Sequence, residues 1–134
     1  MTVQETLKTP KQIVSDAKAG VTTCAPHEAA QRVREDPGTL FLLDVREPAE
    51  YEAAHIATAT NIPRGLLEWK IADAFPDRNQ PLLVHCGSGG RAILAAKTLR
   101  EMGYNNVTAV DGGYDEISSH LSAEFPSQGG GEKS

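Results

Sequence analysis

Cysteine is scarce in this sequence, and so are the clusters of cysteine and histidine that stabilise many small proteins through disulfides or zinc. Of 134 residues only two are cysteine, Cys24 and Cys86, whereas a disulfide framework in so short a chain requires more. The sequence also contains no C-x-x-C pair or Cys/His cluster of the kind that binds zinc. A chain of this length buries roughly two-thirds of the surface it exposes when unfolded. We therefore expect one hydrophobic core that needs neither a metal nor a disulfide.

Basic residues and long apolar runs are also few. Lys and Arg number 13 against 18 Asp and Glu, which gives a net charge of −5. This balance argues against non-specific nucleic-acid binding, because phosphate neutralisation requires clustered cations. No apolar stretch approaches the ~20 residues of a membrane helix, and residues 1–18 lack the apolar centre of a secretory signal. The sequence thus predicts a cytoplasmic protein that binds neither nucleic acid nor membrane.

Strand and helix signals alternate along the chain. Two nearly continuous apolar runs, at 40–45 and 81–85, predict strands that are buried on both faces. Shorter strands are predicted at 21–24, 59–62 and 107–110. Helices are predicted at 10–20, 26–36, 47–54, 66–75, 92–102 and 114–121. This alternation predicts an α/β fold in which helices cover a parallel sheet, with ligands bound beyond the carboxyl ends of its strands.

The predicted domain organisation is simple. Residues 1–20 are expected to form a partly helical N-terminal extension, and residues 21–126 the folded domain. Residues 127–134 are rich in Gly and Ser, a composition typical of a disordered tail.

The segment that carries chemistry directly follows the strand at 81–85. Three of the four residues between Cys86 and Arg91 are glycine. Such backbone turns its N–H groups inward into an anion-binding nest, and the next helix adds donors and the positive end of its dipole. These donors favour the Cys86 thiolate and would hold a terminal sulfur anion attached to it. The predicted binding loop comprises Gly87, Ser88, Gly89, Gly90 and Arg91.

An inert cysteine is the alternative interpretation, because an isolated free Cys is more often buried and structural. A simple turn requires neither three glycines nor an arginine at a helix start, so the pattern favours a nucleophile at Cys86. Cys24 has no such surroundings and is expected to be buried rather than to resolve a persulfide. The Ser88 hydroxyl either contacts the substrate or serves the turn.

Three motifs together resemble those of the rhodanese family of sulfurtransferases. They are LDVRE at 43–47 with EY at 50–51, HI at 55–56 and NIP at 61–63; the loop at 86–91 followed by Ala92; and DGGY at 111–114. The resemblance covers about residues 22–121. It implies a five-stranded parallel sheet flanked by helices on both faces. It also implies transfer of sulfane sulfur through a Cys86 persulfide, without a cofactor.

The sequence departs from the family pattern outside the loop. The family usually has Gly before the histidine and Pro-Gly after the isoleucine, where this chain has Ala54, Ala57 and Thr58. Tyr114 stands where Trp is common. These differences concern the geometry of turns rather than the loop chemistry.

Asp44 and Arg46 end a buried strand on the expected ligand side of the sheet. The resemblance implies that they orient the loop, and a purely structural ion pair is the alternative. Strand alternation places His85 on the face opposite Cys86, where a structural role is expected. Leu66 and Trp69 have helical spacing and are predicted to lie in the core, with an apolar rim or partner surface as the alternative.

The predicted function is sulfur transfer by double displacement. Cys86 would take sulfur from a small anionic donor such as thiosulfate and pass it to cyanide, a thiol or a protein cysteine. Arg91 is expected to contact the donor, and bracing of the loop is the alternative. The loop start also resembles that of mercaptopyruvate sulfurtransferases, so mercaptopyruvate and polysulfide stay open as donors. The sequence does not indicate an oligomeric state.

Two other functions compete with this prediction. One is a sulfur carrier or rhodanese-like interaction module that does not turn over. The other is a phosphatase or arsenate reductase, since phosphatases of the same fold also use a Cys and an Arg. Those enzymes place one more residue between the two than the four found here, and the shorter loop fits a sulfur anion better than a tetrahedral phosphate.

Overall fold

A computed structural model describes residues 7–121. Its five strands form one parallel sheet in the order β1-β5-β4-β2-β3. The strands are β1 Thr22–Cys24, β2 Phe41–Asp44, β3 Ala59–Asn61, β4 Leu82–Cys86 and β5 Val107–Gly113. The α-helices are α1 Pro10–Lys18, α2 Pro26–Glu35, α3 Pro48–Ala53, α4 Leu67–Ala74, α5 Gly90–Glu101 and α6 Tyr114–Leu121, and a 3₁₀ helix at Arg64–Leu66 precedes α4. The predicted five-stranded parallel α/β sheet is confirmed.

The central strand, β4, is buried along its whole length between β2 and β5. Val84 and Cys86 belong to the hydrophobic cluster on one face of the sheet, and Leu83 belongs to the cluster on the other. A strand covered on both faces needs apolar side chains in both directions, which explains the unbroken apolar run in the sequence. Its carboxyl end therefore delivers Cys86 to the middle of the sheet edge.

Two hydrophobic clusters enclose the sheet. The cluster on the side of Cys86 includes residues of α1, α4 and α5, and the opposite cluster is built from α2 and α6. Along α5, Ala92, Ala95 and Ala96 are fully buried. Their small side chains allow this helix to lie close to the strands, so the end of β4 and the start of α5 can be joined by a very short loop.

Three helices begin with the same local device. Each has proline as its first residue, whose fixed φ suits a helix start. In each, the side chain two residues after the proline accepts a hydrogen bond from the backbone N–H of the residue that precedes the proline. The accepting side chains are Gln12 in α1 (2.7 Å), Glu28 in α2 (2.8 Å) and Glu50 in α3 (2.8 Å). Local sequence therefore contributes one of the contacts that orient the Glu50 carboxylate.

Two element boundaries differ from the prediction. Helix α5 begins at Gly90 rather than at residue 92, so Arg91 lies in its first turn. Strand β5 continues to Gly113 instead of ending at Val110 before a glycine turn. The strand can continue because Gly112 and Gly113 have no side chains to separate it from the loop, and Gly113 pairs with Cys86 in the sheet register.

The prediction that Leu66 and Trp69 lie in the core is wrong. Leu66 is 45% exposed and Trp69 is 77% exposed. Leu66 belongs to the 3₁₀ helix, and α4 starts only at Leu67. The helix buries Leu67 and Ile71, four residues apart, and this phase directs Trp69 away from the sheet.

The predicted extension at 1–20 contains α1, whose Val14 lies beside Gly90 at the start of α5. The predicted tail at 127–134 lies outside the described residues, and the domain boundaries at 21 and 126 stay predictions. Within residues 7–121, no helix combines the length and apolar character that crossing a bilayer requires.

Replacing Gly113 with alanine should destabilise the fold, because a Cβ there would overlap the backbone carbonyl of Gly87. We expect Gly113→Ala to lower the free energy of unfolding by about 1–3 kcal/mol, as overpacking does. Chemical denaturation followed by far-UV circular dichroism measures this change. The matched control is Gly38→Ala, where a Cβ would meet no atom within 4 Å. Equal stability of the two variants would contradict the close approach.

Candidate active site

The loop after β4 places two backbone donors on one sulfur atom. The Sγ of Cys86 accepts hydrogen bonds from the N–H of Gly89 (3.0 Å) and of Ala92 (3.3 Å). Cys86 is fully buried, whereas Gly87 and Ser88 are exposed. Gly89 has a φ of +110°, which L side chains rarely adopt. The loop thus directs two N–H groups at one sulfur atom, a geometry suited to a sulfur anion.

The end of β5 holds this loop from the side. A Cβ on Gly89 would lie 3.1 Å from the backbone nitrogen of Gly112, and one on Gly113 would overlap Gly87. The N–H of Gly113 donates to Oε1 of Glu116 at 2.9 Å. The two consecutive glycines of the DGGY motif therefore serve a direct contact between backbone segments.

Arg91 forms a two-point ion pair with Glu50. Its Nη1 and Nη2 lie 2.8 and 3.3 Å from the two carboxylate oxygens. The hydrogen bond from Arg91, followed by that from the Glu47 backbone, lowers the pKa of Glu50 to about 2. The same hydrogen bond raises the pKa of Arg91 above its ordinary value.

This pairing was not evident from the sequence. Glu50 stood out in the sequence only as part of a family motif. Nothing local indicates a partner 41 residues away. The geometry is that expected of an arginine that braces the loop, and direct contact of Arg91 with a donor stays a prediction.

Asp44 and Arg46 form a buried ion pair at the end of β2. Arg46 donates to Asp44 through Nη2 (2.8 Å), Nε (3.0 Å) and its own backbone N–H (3.0 Å). Its Nη2 also donates to the carbonyl of Ala54 at 2.8 Å, just beyond the end of α3. The guanidinium carbon lies 4.3 Å from the centre of the Tyr114 ring. This pair therefore ties β2 to α3, the helix that presents Glu50 to Arg91.

His85 is buried beneath the loop on the face opposite Cys86. Its Nε2 lies 3.7 Å from Oδ2 of Asp44, and its ring centre is 6.3 Å from that of Tyr114. Burial lowers the pKa of His85, against the opposing effect of the Asp44 carboxylate. The ring is therefore neutral near pH 7 and packs as an uncharged group.

The second cysteine is distant from this chemistry. Cys24 lies on β1, which is separated from β4 by β5, and it packs against the cluster on the opposite side of the sheet from Cys86. It is partly buried, and burial raises the pKa of its thiol. The structure gives Cys24 no geometry for resolving a persulfide on Cys86.

Comparisons with known proteins concern the domain as a whole. A family model described as a rhodanese-like domain matches residues 25–120. The thiosulfate sulfurtransferase PspE of Escherichia coli (strain K12) is 39% identical over 70 residues, which are 52% of this chain and 67% of that protein. The matches with three curated relatives span 44%, 64% and 67% of the relatives' own length.

Solved structures show the same fold. The polysulfide-sulfur transferase homodimer of Wolinella succinogenes has a TM-score of 0.71 and 34% identity, over 89% of this chain and 86% of that one. A Rhodopseudomonas palustris protein described as a possible tyrosine phosphatase has a TM-score of 0.78 over 96% of this chain and 98% of that one. Its identity is only 24%, so this likeness concerns the fold alone.

Asp44→Asn should destabilise the protein strongly, because it leaves the buried Arg46 charge without a counter-ion. We expect a loss of about 3 kcal/mol in the free energy of unfolding, measured by chemical denaturation at pH 7. Glu101→Gln is the control, since it breaks an exposed pair with Lys97 that contributes about 0.5 kcal/mol or less. Similar losses in both variants would contradict the role of burial.

The Glu50 pair should contribute stability in a defined pH range. Because the folded-state pKa of Glu50 is lowered to about 2, its contribution is complete above its ordinary pKa and is lost as pH falls toward 2. Wild type should exceed Glu50→Gln by about 0.5–1 kcal/mol at pH 7, a small value because both side chains are partly exposed. The difference should shrink between pH 4.5 and pH 3, as measured by denaturation at each pH. Glu52→Gln, an exposed charge change on the same helix, is the control, and an equal loss at pH 7 in both variants would contradict the contribution of the ion pair.

Proposed function

Because the chain belongs to the rhodanese-like family, we propose that it is a sulfurtransferase that carries sulfane sulfur on Cys86. The observation that carries this proposal is the pair of backbone N–H groups on the Cys86 Sγ. The negative charge is on Sγ in the thiolate and on the outer sulfur in the persulfide, and the N–H groups of this one loop are the donors closest to both positions. The names of the E. coli and W. succinogenes relatives support the same class of reaction.

The first half of the reaction loads the enzyme. The Cys86 thiolate attacks the outer sulfur of a donor such as thiosulfate, and an S–S bond forms to Sγ. The bond between the outer sulfur and the sulfonate sulfur breaks, and sulfite leaves with the electron pair. The N–H groups of Gly89 and Ala92 stabilise the negative charge on sulfur before and during this step. A thiolate nucleophile requires no separate general base.

The second half returns the enzyme to its starting state. A thiophilic acceptor attacks the outer sulfur of the Cys86 persulfide, and the bond to Sγ breaks with its electrons on Cys86. Cyanide leaves as thiocyanate, while a thiol or a protein cysteine leaves as a persulfide. Gly87 and Ser88 are the exposed part of the loop, so we place the approach of donor and acceptor there.

The supporting residues act through the position of the loop. In this proposal, Gly87 to Arg91 bind the outer sulfur, and Asp44 and Arg46 position α3. That helix presents Glu50, which holds Arg91 at the start of α5. Two of the five N–H donors of Arg91 are used by Glu50, so direct contact with a sulfur donor would have to use the others.

The two alternative functions, a sulfur carrier and a phosphatase, predict different experimental results. A sulfur carrier without turnover would load Cys86 once and release the sulfur only to its own partner. A phosphatase would hydrolyse a phosphate ester, but the loop has only four residues between Cys86 and Arg91. The likeness to the protein described as a possible tyrosine phosphatase is one of fold alone. Sulfur transfer is therefore the better supported chemistry.

Incubation with thiosulfate should add the mass of one sulfur atom to the intact protein, and cyanide should remove it as thiocyanate. Cys86→Ser should show no addition and no turnover, whereas Cys24→Ser should retain both. Intact-mass spectrometry and a thiocyanate assay measure the two quantities. Loading without catalytic turnover would favour the carrier. Sulfur addition to Cys86→Ser, or hydrolysis of an aryl phosphate at a rate comparable to sulfur transfer, would overturn the proposal.

A further inference from the structure

The rim of the candidate site carries less positive charge than Arg91 alone would give it. We define the rim as Gly87 and Ser88 with the charged side chains beside them. A Cβ on Gly87 would lie 2.9 Å from Nη2 of Arg91 and 3.8 Å from Oε2 of Glu50. The ion pair of these two residues thus lies directly against the exposed part of the loop, where a donor must enter.

The Glu50 carboxylate is fixed in this place. One oxygen accepts from the Glu47 backbone N–H at 2.8 Å, as part of the start of α3. Both oxygens accept from Arg91. Three donors on one carboxylate keep Glu50 ionised at any physiological pH, in agreement with its pKa of about 2. The negative charge at the rim is therefore permanent.

Other carboxylates add to this charge. Glu47 is exposed and close enough to Arg91 to raise the pKa of its guanidinium. On the other side of the loop, an Asp111 oxygen would lie 3.7 Å from a Cβ on Gly89, and Asp111 pairs with Lys18 at 2.5 Å. The charged side chains beside the loop are two cations, Arg91 and Lys18, and three carboxylates, Glu47, Glu50 and Asp111. Their formal charges sum to −1.

We propose that Glu50 is a specificity-determining residue that, by neutralising Arg91, favours sulfur donors with one negative charge or none over doubly charged donors. Suitable donors are thiosulfonates and the persulfides of thiols, while thiosulfate is the disfavoured dianion. This inference rests on the proposed sulfurtransferase function and specifies which donors it prefers. It assigns to Glu50 a role that the bracing of Arg91 does not require, since a neutral hydrogen-bonding side chain could also hold an arginine.

The effect should scale with the charge of the donor. At distances of several ångströms near a protein surface, removing one unit charge changes the interaction with a donor by on the order of threefold to tenfold per donor charge. The change in the logarithm of kcat/KM should be twice as large for a dianion as for a monoanion, because the interaction energy is proportional to the charge of the donor. The ratio of their kcat/KM values therefore isolates charge from any general loss of activity, because a disturbed loop lowers both values.

The test compares thiosulfate with benzenethiosulfonate, a monoanion from which Cys86 takes the same outer sulfur and benzenesulfinate leaves. Sulfur transfer to cyanide is measured for wild type, Glu50→Gln and Glu52→Gln, the last being an exposed charge change on the same helix. We expect Glu50→Gln to raise the thiosulfate-to-thiosulfonate ratio of kcat/KM by about threefold to tenfold. Glu52→Gln should leave the ratio within about twofold of wild type, because water and salt screen its charge.

Two further measurements bear on the same point. Glu50→Gln/Arg91→Gln removes both charges together, so its ratio should return toward that of wild type. Wild-type kcat/KM for thiosulfate should rise with ionic strength as repulsion at the rim is screened, a test that needs no variant to fold. An unchanged or lower ratio in Glu50→Gln, or a fall of the wild-type value with salt, would overturn the inference. Absence of any sulfur addition to wild-type Cys86 would instead refute the proposed function itself.

Discussion

The backbone of Gly113 lies so close to the carbonyl of Gly87 that no side chain fits between them. This contact joins the last residue of β5 to the first residue of the loop. With Gly87 held in place, the chain must turn within a few residues to enter α5, and Gly89 makes that turn with φ of +110°. Only then do the N–H groups of Gly89 and Ala92 both reach Cys86. The two hydrogen bonds on the Cys86 sulfur therefore depend on a packing contact that involves no side chain.

Charged residues complete the arrangement from the other side of the loop. The buried pair of Asp44 and Arg46 also holds the carbonyl of Ala54, and so fixes the end of α3. Glu50, in the same helix, holds Arg91. Buried ion pairs contribute little net stability compared with apolar packing, because desolvation offsets much of the attraction. Here the two ion pairs fix the positions of β2, α3 and the loop relative to one another.

How far the sequence predicts each feature depends on whether its cause is local. The buried run of β4, the glycine-rich loop at 87–90 and the helix that follows are encoded within about twenty consecutive residues, and the loop was predicted from them. The pair of Glu50 and Arg91 depends on how α3 packs, which no local pattern records. Trp69 was misplaced because a 3₁₀ helix delays the start of α4 and changes which residues face the sheet. The extent of β5 was underestimated because Gly112 and Gly113 are typical of turns, and only the adjacent loop makes them useful in a strand.

The exposure of Trp69 affects how this protein can be observed. It is the only tryptophan in the chain, and 77% of its surface is open to solvent. Its indole is already hydrated in the folded state, so its fluorescence maximum should move little when the chain unfolds. Because Trp69 is exposed, its fluorescence can instead report binding to α4. An emission shift to shorter wavelength in the folded protein would indicate that a second molecule had covered this helix.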